Sequence, residues 1–299
     1  MKKFDKERVL LAVAGPVIAL AVAFVLSAIV LVASGKNPVE PFALMFEQAG
    51  YSDVQVLILN QASMYYIAAL AVAIGFRMNL FNIGVDGQYQ LAAMMAAVVG
   101  AHANLPAGLQ VPLLLLTAVL TGAFWSGIAG VLKVTRGVSE VVATIMLNAI
   151  ATSVIAYLWL PDVFGVKVGN NNTTGEMHES GWVSGIPVGD AGEIYGLVYL
   201  AVLLGIGIAL LGRNSPVGIA FAALLWAWLD KASPELDFHG YDKEIAVIMQ
   251  GLIVLSVVVS YEAVREWGLR RQQRRVGAEL AAGHVLGADN NTTKEVAGR

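Results

Sequence analysis

The chain has 299 residues, of which 57% are hydrophobic and 14% charged, and its formal net charge is −3. This composition is more apolar and less charged than that of a typical soluble domain, so it predicts a membrane protein. The chain has no cysteine, which excludes a disulfide scaffold, a thiolate metal site and a cysteine nucleophile. It also has no Walker A motif.

Two apolar runs near the start predict the first two membrane-spanning helices. The first covers residues 9–33 and is longer than the core of a signal peptide, so we expect it to be retained. A polar segment at 34–53, with a short interfacial helix near 41–48, leads to a second span at 54–74. Asn60 and Ser63 share one face of this helix, as do Gln61 and Tyr65. These pairs fit either hydrogen bonding between helices or a substrate pathway.

The stretch 75–90 interrupts the apolar pattern with an Arg, an Asp, two Asn, two Gln and three Gly. Ionisable groups at membrane depth are costly and usually face the protein interior or a water-filled path. Glycines there permit non-helical backbone, which is tolerated only inside protein or along a cavity. We therefore predict a substrate pathway at this stretch, the alternative being a cytoplasmic loop between two helices.

The next segments are a short helix, a turn and a longer span. Residues 88–103 are short for a span and predict a discontinuous helix, an element that often builds transporter sites. An uncharged turn at 101–110 precedes a span at 111–132, in which Trp125 is expected to pack. Lys133 and Arg136 then mark a cytoplasmic turn.

The following span, at 138–160, carries one polar stripe. Its members recur every four residues on an otherwise aliphatic helix, so they share a face that we expect to point into the bundle. They are Glu140, Thr144, Asn148 and Thr152. The stripe fits a role in substrate passage or gating, or a structural hydrogen-bond seam in which Glu140 pairs with Arg136.

The second half of the chain contains one long loop and a second interruption. Residues 161–193 form an external loop, either a seat for a substrate-delivery protein or a solvated connection. A span at 194–211 is broken at 212–216, and the 13 residues at 217–229 are too short to cross alone. Paired interruptions in two halves indicate a transporter site. A charged loop at 230–243 precedes a last span at 244–261, which contains Gln250.

These elements predict an all-α fold, a polytopic transmembrane helix bundle of about eight spanning segments that include broken or short helices. The transmembrane domain covers 1–262, and 263–299 is a basic cytoplasmic tail that we expect to be disordered. With both termini inside, thirteen of the Lys and Arg residues up to position 275 are cytoplasmic and four are external, as the positive-inside rule requires. The thirteen are Lys2, Lys3, Lys6, Arg8, Arg77, Lys133, Arg136, Arg213, Arg265, Arg270, Arg271, Arg274 and Arg275, and the four are Lys36, Lys167, Lys231 and Lys243.

Four ordered blocks of the sequence carry a resemblance to a known family. They are NIGVDGQ at 82–88, RGVSEVVATIMLN at 136–148, ALLGRNSPVGI at 209–219, and KEI at 243–245 followed by QGLI at 250–253. In this order they resemble the permease subunits of ATP-binding-cassette (ABC) importers for nucleosides or simple sugars. That branch is related to the ribose and branched-chain amino acid permeases.

The resemblance implies a chain that is not an enzyme. ATP would be hydrolysed by a separate subunit, so no cofactor is expected on this chain, and nucleic acid is not an expected partner. The implied partners are an ABC ATPase subunit, a second permease subunit, an extracytoplasmic substrate-binding lipoprotein and membrane lipid. The implied location is the bacterial plasma (inner) membrane, which the chain crosses several times.

The sequence departs from the family pattern after about residue 205. Relatives carry a cytoplasmic ATPase-docking segment there, followed by further membrane segments, whereas here residues 199–207 continue directly into the ALLGR block. The docking segment and about two spans' worth of residues are absent, which predicts an internal deletion. Residues 206–211 would then join two helices that are separate in relatives.

We therefore expect nucleosides as the substrates, with ribose-like sugars as the second choice. The alternatives are a secondary transporter driven by an ion gradient and a non-functional permease remnant. Amide and carboxylate groups suit ribose hydroxyls and base edges, because unpaired polar groups in a dry site are costly to both partners. No catalytic or metal-ligating residue is predicted. The residues expected along the substrate pathway are Asn60, Gln61, Asn82, Asp86, Gln88, Glu140, Thr144, Asn148 and Gln250.

Overall fold

The computed structural model describes residues 6–210, 216–242, 244–245, 247–257, 259–260 and 266. The chain forms two compact units, one built from Met1–Gln48 and Ala232–Arg299 and the other from Ala49–Lys231, and each is described by itself. Two predicted features fall almost entirely outside the described residues. They are the tail at 263–299, of which only residue 266 is described, and the interruption at 212–216, of which only Pro216 is described.

Helices make up most of the described chain, which confirms the predicted all-α membrane fold. Within the described residues, four segments are long and apolar enough to cross a membrane: Pro16–Ala33, Ser52–Phe76, Gly108–Arg136 and Glu140–Leu158. The helices are α1 Lys6–Ala33, α2 Glu40–Gln48, α3 Ser52–Arg77, α4 Val85–His102, α5 Ala107–Arg136, α6 Glu140–Leu158, α7 Leu197–Leu210, α8 Pro216–Ala232, α9 Pro234–Phe238 and α10 Val247–Val257.

In the unit formed by the two ends of the chain, α1 buries a row of small residues. Ala19, Ala23 and Ser27, each four apart, are between 2% and 3% exposed. Small side chains at this spacing let another helix approach closely, which is how helices commonly associate in membranes. In the same unit, α2 packs against α9. The charged loop predicted at 230–243 therefore contains a short helix that the sequence pattern did not indicate.

A polar link joins the α1–α2 connection to the chain after α9. The Tyr241 hydroxyl donates a hydrogen bond to Glu40 Oε2 at 2.5 Å, and Lys36 Nζ donates to the Gly240 carbonyl at 2.6 Å. Burial raises the pKa of Tyr241 to about 12, and the Glu40 carboxylate that accepts its hydrogen bond adds to the rise. The hydroxyl therefore stays protonated and keeps donating at neutral pH.

The core of the other unit lies between α4, α5 and α6. Apolar side chains from all three helices bury one another, and Trp125 is 8% exposed among them, as its predicted packing role requires. The remaining members of this cluster are Leu91, Met94, Val98, Ala129, Ala143, Leu147, Ala151 and Ile155. The other helices of this unit pack separately. The α3 helix lies against α7, and Ile58 and Ala62 of α3 contact Ala227 of α8.

The long loop at 161–193 has more structure than either sequence interpretation described. It contains two antiparallel two-stranded sheets, β1 Val166–Val168 with β2 Asn171–Thr173, and β3 Ile186–Pro187 with β4 Glu193–Ile194. Between the sheets, Met177 packs close to Gly100, at the end of α4, and to Gly181. The loop is thus folded onto the helices, although strands of two or three residues are too short for a hydrophobic pattern to predict.

Two predicted boundaries need correction. Lys133 and Arg136 lie in the last turn of α5 and not in the turn after it, because the helix continues until Gly137 adopts a left-handed conformation with φ of 66°. Glycine pays no steric cost there, and a left-handed residue is the usual end of a helix. The segment predicted as 13 residues at 217–229 is part of α8, which has 17 residues.

Candidate functional site

The junction between α3 and α4 is the non-helical segment inside the polar stretch predicted as the substrate pathway. Helix α3 ends at Arg77 and α4 begins at Val85. Asn79 takes a positive φ of 55°, and the Leu80 N–H donates to the Gly75 carbonyl at 2.9 Å to close the turn. Asparagine is one of the few non-glycine residues that adopts this conformation readily, so the break is specified locally.

The polar stripe of α6 lies against this junction. The Ile83 N–H donates to Thr144 Oγ1 at 3.3 Å, and Asn148 Nδ2 donates to the Ile83 carbonyl at 3.0 Å. Asn148 Oδ1 also accepts a hydrogen bond from the Gly87 N–H at 3.0 Å. Thr144 is buried and Asn148 is half-buried against the junction, whereas Thr152, the last member of the predicted stripe, is exposed. The two inward members hold main-chain groups that the break leaves outside any helix.

A pair of amide side chains closes the junction from within. Asn82 and Gln88 exchange two hydrogen bonds, each 3.1 Å long, and Asn82 Oδ1 also accepts the Gly84 N–H at 2.9 Å. Three predicted pathway residues, Asn82, Gln88 and Asn148, are thus gathered in one hydrogen-bonded network. Their main visible role is to fix the shape of the turn.

Two glycines allow α6 to approach the junction. A Cβ added at Gly84 would lie 3.0 Å from Cβ of Thr144, and one added at Gly87 would lie 2.9 Å from Cα of Asn148. The second contact is with backbone, which cannot rotate away. Glycine at position 87 is therefore required for the spacing between α4 and α6, and the hydrogen bonds of Asn148 to the main chain at the start of α4 depend on that spacing.

Glu140 forms an ion pair at the start of α6. Its Oε1 lies 2.6 Å from Lys133 Nζ, with the two side chains 20% and 37% exposed. The structural interpretation of the stripe paired Glu140 with Arg136, whereas the structure pairs it with Lys133. Lys133 lies one turn earlier in α5, and the chain reversal at Gly137 brings that turn beside Glu140. The pair ties the end of α5 to the start of α6.

Asp86 differs from the other predicted pathway residues because its side chain is exposed. It lies in the first turn of α4, and its Oδ1 accepts a hydrogen bond from Gln90 Nε2 at 2.9 Å. Gln90, which is also exposed, was not among the predicted residues. Its four-residue spacing from Asp86 on one helix face was the sequence signal that could have identified it.

The two predicted residues of α3 lie away from the junction. Asn60 is 6% exposed, donates from Nδ2 to the Glu193 carbonyl at 3.0 Å and accepts the Tyr195 N–H at 2.8 Å. It therefore holds the end of the folded loop. Gln61 is half-buried four residues before Tyr65 on α3, and the Tyr65 hydroxyl lies 3.5 Å from Asp230 Oδ2 of α8.

Replacing Asn60 with alanine is expected to loosen the loop at 182–195. The change would leave the Glu193 carbonyl and the Tyr195 N–H without their partner, which costs about 1–3 kcal/mol in a buried position. We expect proteinase K, added from the side on which the loop is exposed, to cut the loop about tenfold faster. Ser63→Ala is the matched control, because its hydroxyl bonds only to the Leu59 carbonyl of its own helix at 2.9 Å. Equal cleavage of both variants would contradict the anchoring role.

The last predicted pathway residue, Gln250, lies on α10 in the unit formed by the chain ends, where it is half-buried. The structure therefore gathers four of the nine predicted residues, Asn82, Gln88, Thr144 and Asn148, at the junction, with Asp86 in the adjacent first turn of α4. Within the described residues, no group of His, Asp and Glu side chains could hold a metal ion. What the junction offers is a set of neutral hydrogen-bonding groups around one exposed carboxylate.

Comparison with protein families gives a match to a family of permease components. Residues 54–223 match the family described as "Branched-chain amino acid transport system / permease component". The matched region covers more than half of the chain and includes the junction, α6 and the folded loop.

Comparison with individual proteins gives similar results. The chain is 32% identical to the guanosine ABC transporter permease protein NupP of Bacillus subtilis over 55% of this chain and 47% of that protein. It is 25% identical to the nucleoside ABC transporter permease protein NupB of Lactococcus lactis over 82% of this chain and 90% of that protein. It is 33% identical to the glucose ABC transporter permease protein TsgB13 of Haloferax volcanii over 50% of this chain and 39% of that protein.

The chain thus spans less than half the length of the Bacillus and Haloferax relatives in these matches. No solved structure shows a significant match to it.

Proposed function

Because this chain belongs to the family of permease components of branched-chain amino acid transport systems, we propose that it is the membrane-spanning permease subunit of an ABC importer for nucleosides. Two of the similar proteins are named as permeases for guanosine and for nucleosides, and this supports the substrate class. A simple sugar is the second candidate, because the Haloferax relative is named for glucose. ATP hydrolysis belongs to a partner subunit in this proposal.

The observation that carries the proposal of a pathway at the junction is the exposure of Asp86. The Gly87 N–H meets Asn148, eight residues into α6 and therefore about 12 Å from the start of that helix. A carboxylate at such a depth is costly against lipid and normally faces a water-filled cavity or another protein chain. We place the substrate path, or the second permease subunit that completes it, on the face of α4 that carries Asp86 and Gln90.

The contacts within each unit support the orientation with both termini in the cytoplasm. Lys133, Glu140 and the junction lie at one end of α5 and α6, which would be the cytoplasmic end. Asn60, the folded loop and the end of α4 lie at the opposite end. In the other unit, the hydrogen bond from Lys36 to the Gly240 carbonyl supports the same side for the two loops predicted to be external.

The arrangement of α7 and α8 supports two crossings in the second half of the matched region. Helix α7 begins just after Tyr195, which Asn60 holds at the proposed external end. Helix α8 finishes near that same end, because Ala227 contacts Ile58 and Ala62 near the start of α3. Each helix would then cross once. The 17 residues of α8 have a length of about 26 Å, close to the thickness of the hydrocarbon core.

The mechanism we propose is alternating access, in which the substrate binds from one side and is released on the other. Only a difference in affinity between the two states can bias such a cycle. The junction suits this role, because broken helices near the substrate are common in transporters and can contribute main-chain groups to binding.

Coupling to an ATPase is the step that the proposed internal deletion affects. The match to the Lactococcus permease extends over 331 residues, more than the 299 of this chain, which supports the view that the relative contains segments this chain lacks. If the docking segment is among them, another cytoplasmic surface must contact the ATPase. Otherwise the chain is a permease by descent that no longer couples to ATP.

Co-purification tests the proposal directly. The tagged chain is expressed with an ATPase subunit and a binding lipoprotein of the nucleoside-importer type, and the Lactococcus permease with its own partners serves as the control. We expect the ATPase to purify with the chain and labelled guanosine to be taken up in a vanadate-sensitive manner. Uptake that resists vanadate but is abolished by a protonophore would instead identify a secondary transporter. Loss of both association and uptake, with a working control, would contradict a functional importer.

A further inference from the structure

Helix α4 lacks a cap from its own residues. The first N–H groups of a helix have no partner inside it and are usually met by the side chain of the residue that precedes the first turn. Here that residue is Gly84, which has no side chain to offer. The Gly87 N–H is instead met by Asn148 Oδ1 at 3.0 Å, so a residue of α6 performs the capping that the local sequence does not.

The same amide also holds the segment before the helix. Asn148 Nδ2 donates to the Ile83 carbonyl at 3.0 Å, and the Ile83 N–H is bound by Thr144 at 3.3 Å. Main-chain groups on both sides of the start of α4 are therefore attached to one short section of α6. The close contact at Gly87 leaves no space for a substrate between Asn148 and the α4 backbone.

The capped turn determines where Asp86 points. Asp86 is the residue immediately before Gly87 in this capped turn, and it is exposed, with its Oδ1 accepting a hydrogen bond from Gln90. A shift of the first turn of α4 would therefore move Asp86 and its partner Gln90 together. Asn148 is placed to act on the proposed pathway through Asp86, without contact with the transported molecule.

We propose that Asn148, assisted by Thr144, is a positioning residue that caps α4 from the neighbouring helix and holds Asp86 in place. This proposal replaces the expectation that Asn148 contacts the substrate. Only the predicted effect on transport rests on the proposed function. The capping itself can be tested without transport, because the natural chain has no cysteine and a single introduced cysteine reports on local opening.

The experiment uses Leu91→Cys, in the full chain co-expressed with its partners, as the reporter. Leu91 is 5% exposed in the core between α4 and α6, so its thiol should react slowly with a membrane-permeant maleimide. Asn148→Leu, which removes both hydrogen bonds, is expected to raise the labelling rate about tenfold, and Asn148→Asp, which keeps the acceptor for Gly87, by less. Thr152→Val is the matched control on the same helix, because among the described residues Thr152 hydrogen-bonds only to the carbonyl of Asn148, at 3.2 Å.

Transport is then measured on the same variants. A positioning role predicts that Asn148→Asp lowers the maximal uptake rate in step with the rise in labelling and leaves the order of preference among nucleosides unchanged. Unchanged labelling in Asn148→Leu would overturn the proposal, whatever happens to uptake. If Asn148→Leu does not insert, unchanged labelling in both Asn148→Asp and Thr144→Val would do the same. Faster labelling in a chain whose parent transports no nucleoside would retain the capping role and reject only the proposed function.

Discussion

Replacing Gly87 with alanine is expected to destabilise the protein more than any other single methyl addition at the junction. The new Cβ would lie 2.9 Å from Cα of Asn148 and 3.0 Å from Cβ of Ala151, so α4 must move away from α6. Overpacking of this kind costs about 1–3 kcal/mol. The movement would also separate the Gly87 N–H from Asn148, and a buried donor without a partner costs about 1–3 kcal/mol more.

The measurement is the free energy of unfolding of the purified chain in mixed detergent and dodecyl sulfate micelles. Gly127→Ala on α5 is the matched control, because a Cβ there meets nothing within 4 Å. Alanine is favoured over glycine within a helix by about 1 kcal/mol, so the control should be neutral or slightly stabilised. If the two variants unfold at the same denaturant concentration, close packing of α4 on α6 is not what the glycine provides.

Replacing Asp86 with asparagine or alanine is expected to lower nucleoside uptake about tenfold or more without lowering the amount of protein in the membrane. The side chain is exposed and makes its hydrogen bond only to Gln90 among the contacts seen, so its loss leaves no buried group unsatisfied. Stability should therefore change little, whereas a carboxylate that contacts ribose hydroxyls or orders water in the path cannot be replaced by a neutral group.

Uptake of labelled guanosine by cells that express the complete importer checks this expectation, with membrane abundance measured by immunoblot. Asp53→Asn is the matched control, because Asp53 is also an exposed carboxylate in the first turn of a helix, α3. Uptake by Asp86→Asn equal to that of the parent would remove Asp86 from the pathway. A parallel loss of protein would instead assign the residue a structural role.

The long helices were predictable because each is an apolar run with polar boundaries, whereas the short polar helix α9 was not. The face of α6 that points inward was also predictable, since Glu140, Thr144 and Asn148 recur at the spacing of a helical turn. The groups that this face contacts could not be predicted. Helical spacing identifies which side chains share one face of a helix. The partners of Asn148, however, are main-chain groups more than sixty residues away in the sequence. Every residue has the same main-chain groups, so a residue pattern cannot identify them.

Two other differences between the predicted and the observed contacts have similar causes. Lys133 replaced Arg136 as the partner of Glu140 because the exact place where α5 ends decides which basic residue comes near, and that end depends on one backbone angle at Gly137. Asn60 was predicted within the membrane pathway because it lies in an apolar helix. Its actual partner is a loop whose strands are only two or three residues long, below the length at which an alternating pattern can be recognised.

Asn148 and Asn60 share a geometry that has a consequence for how the sequence can change. Each amide donates to one carbonyl and accepts from one N–H of a distant segment. Asn148 binds the Ile83 carbonyl and the Gly87 N–H, and Asn60 binds the Glu193 carbonyl and the Tyr195 N–H. Backbone groups are the same in every residue type, so these hydrogen bonds do not depend on the side chains of the segment that each amide holds. Substitution of Ile83 or Ile194 preserves both bonds. Insertion or deletion of one residue between the two bonded groups removes one of them, so chain length is constrained in these segments more tightly than residue identity.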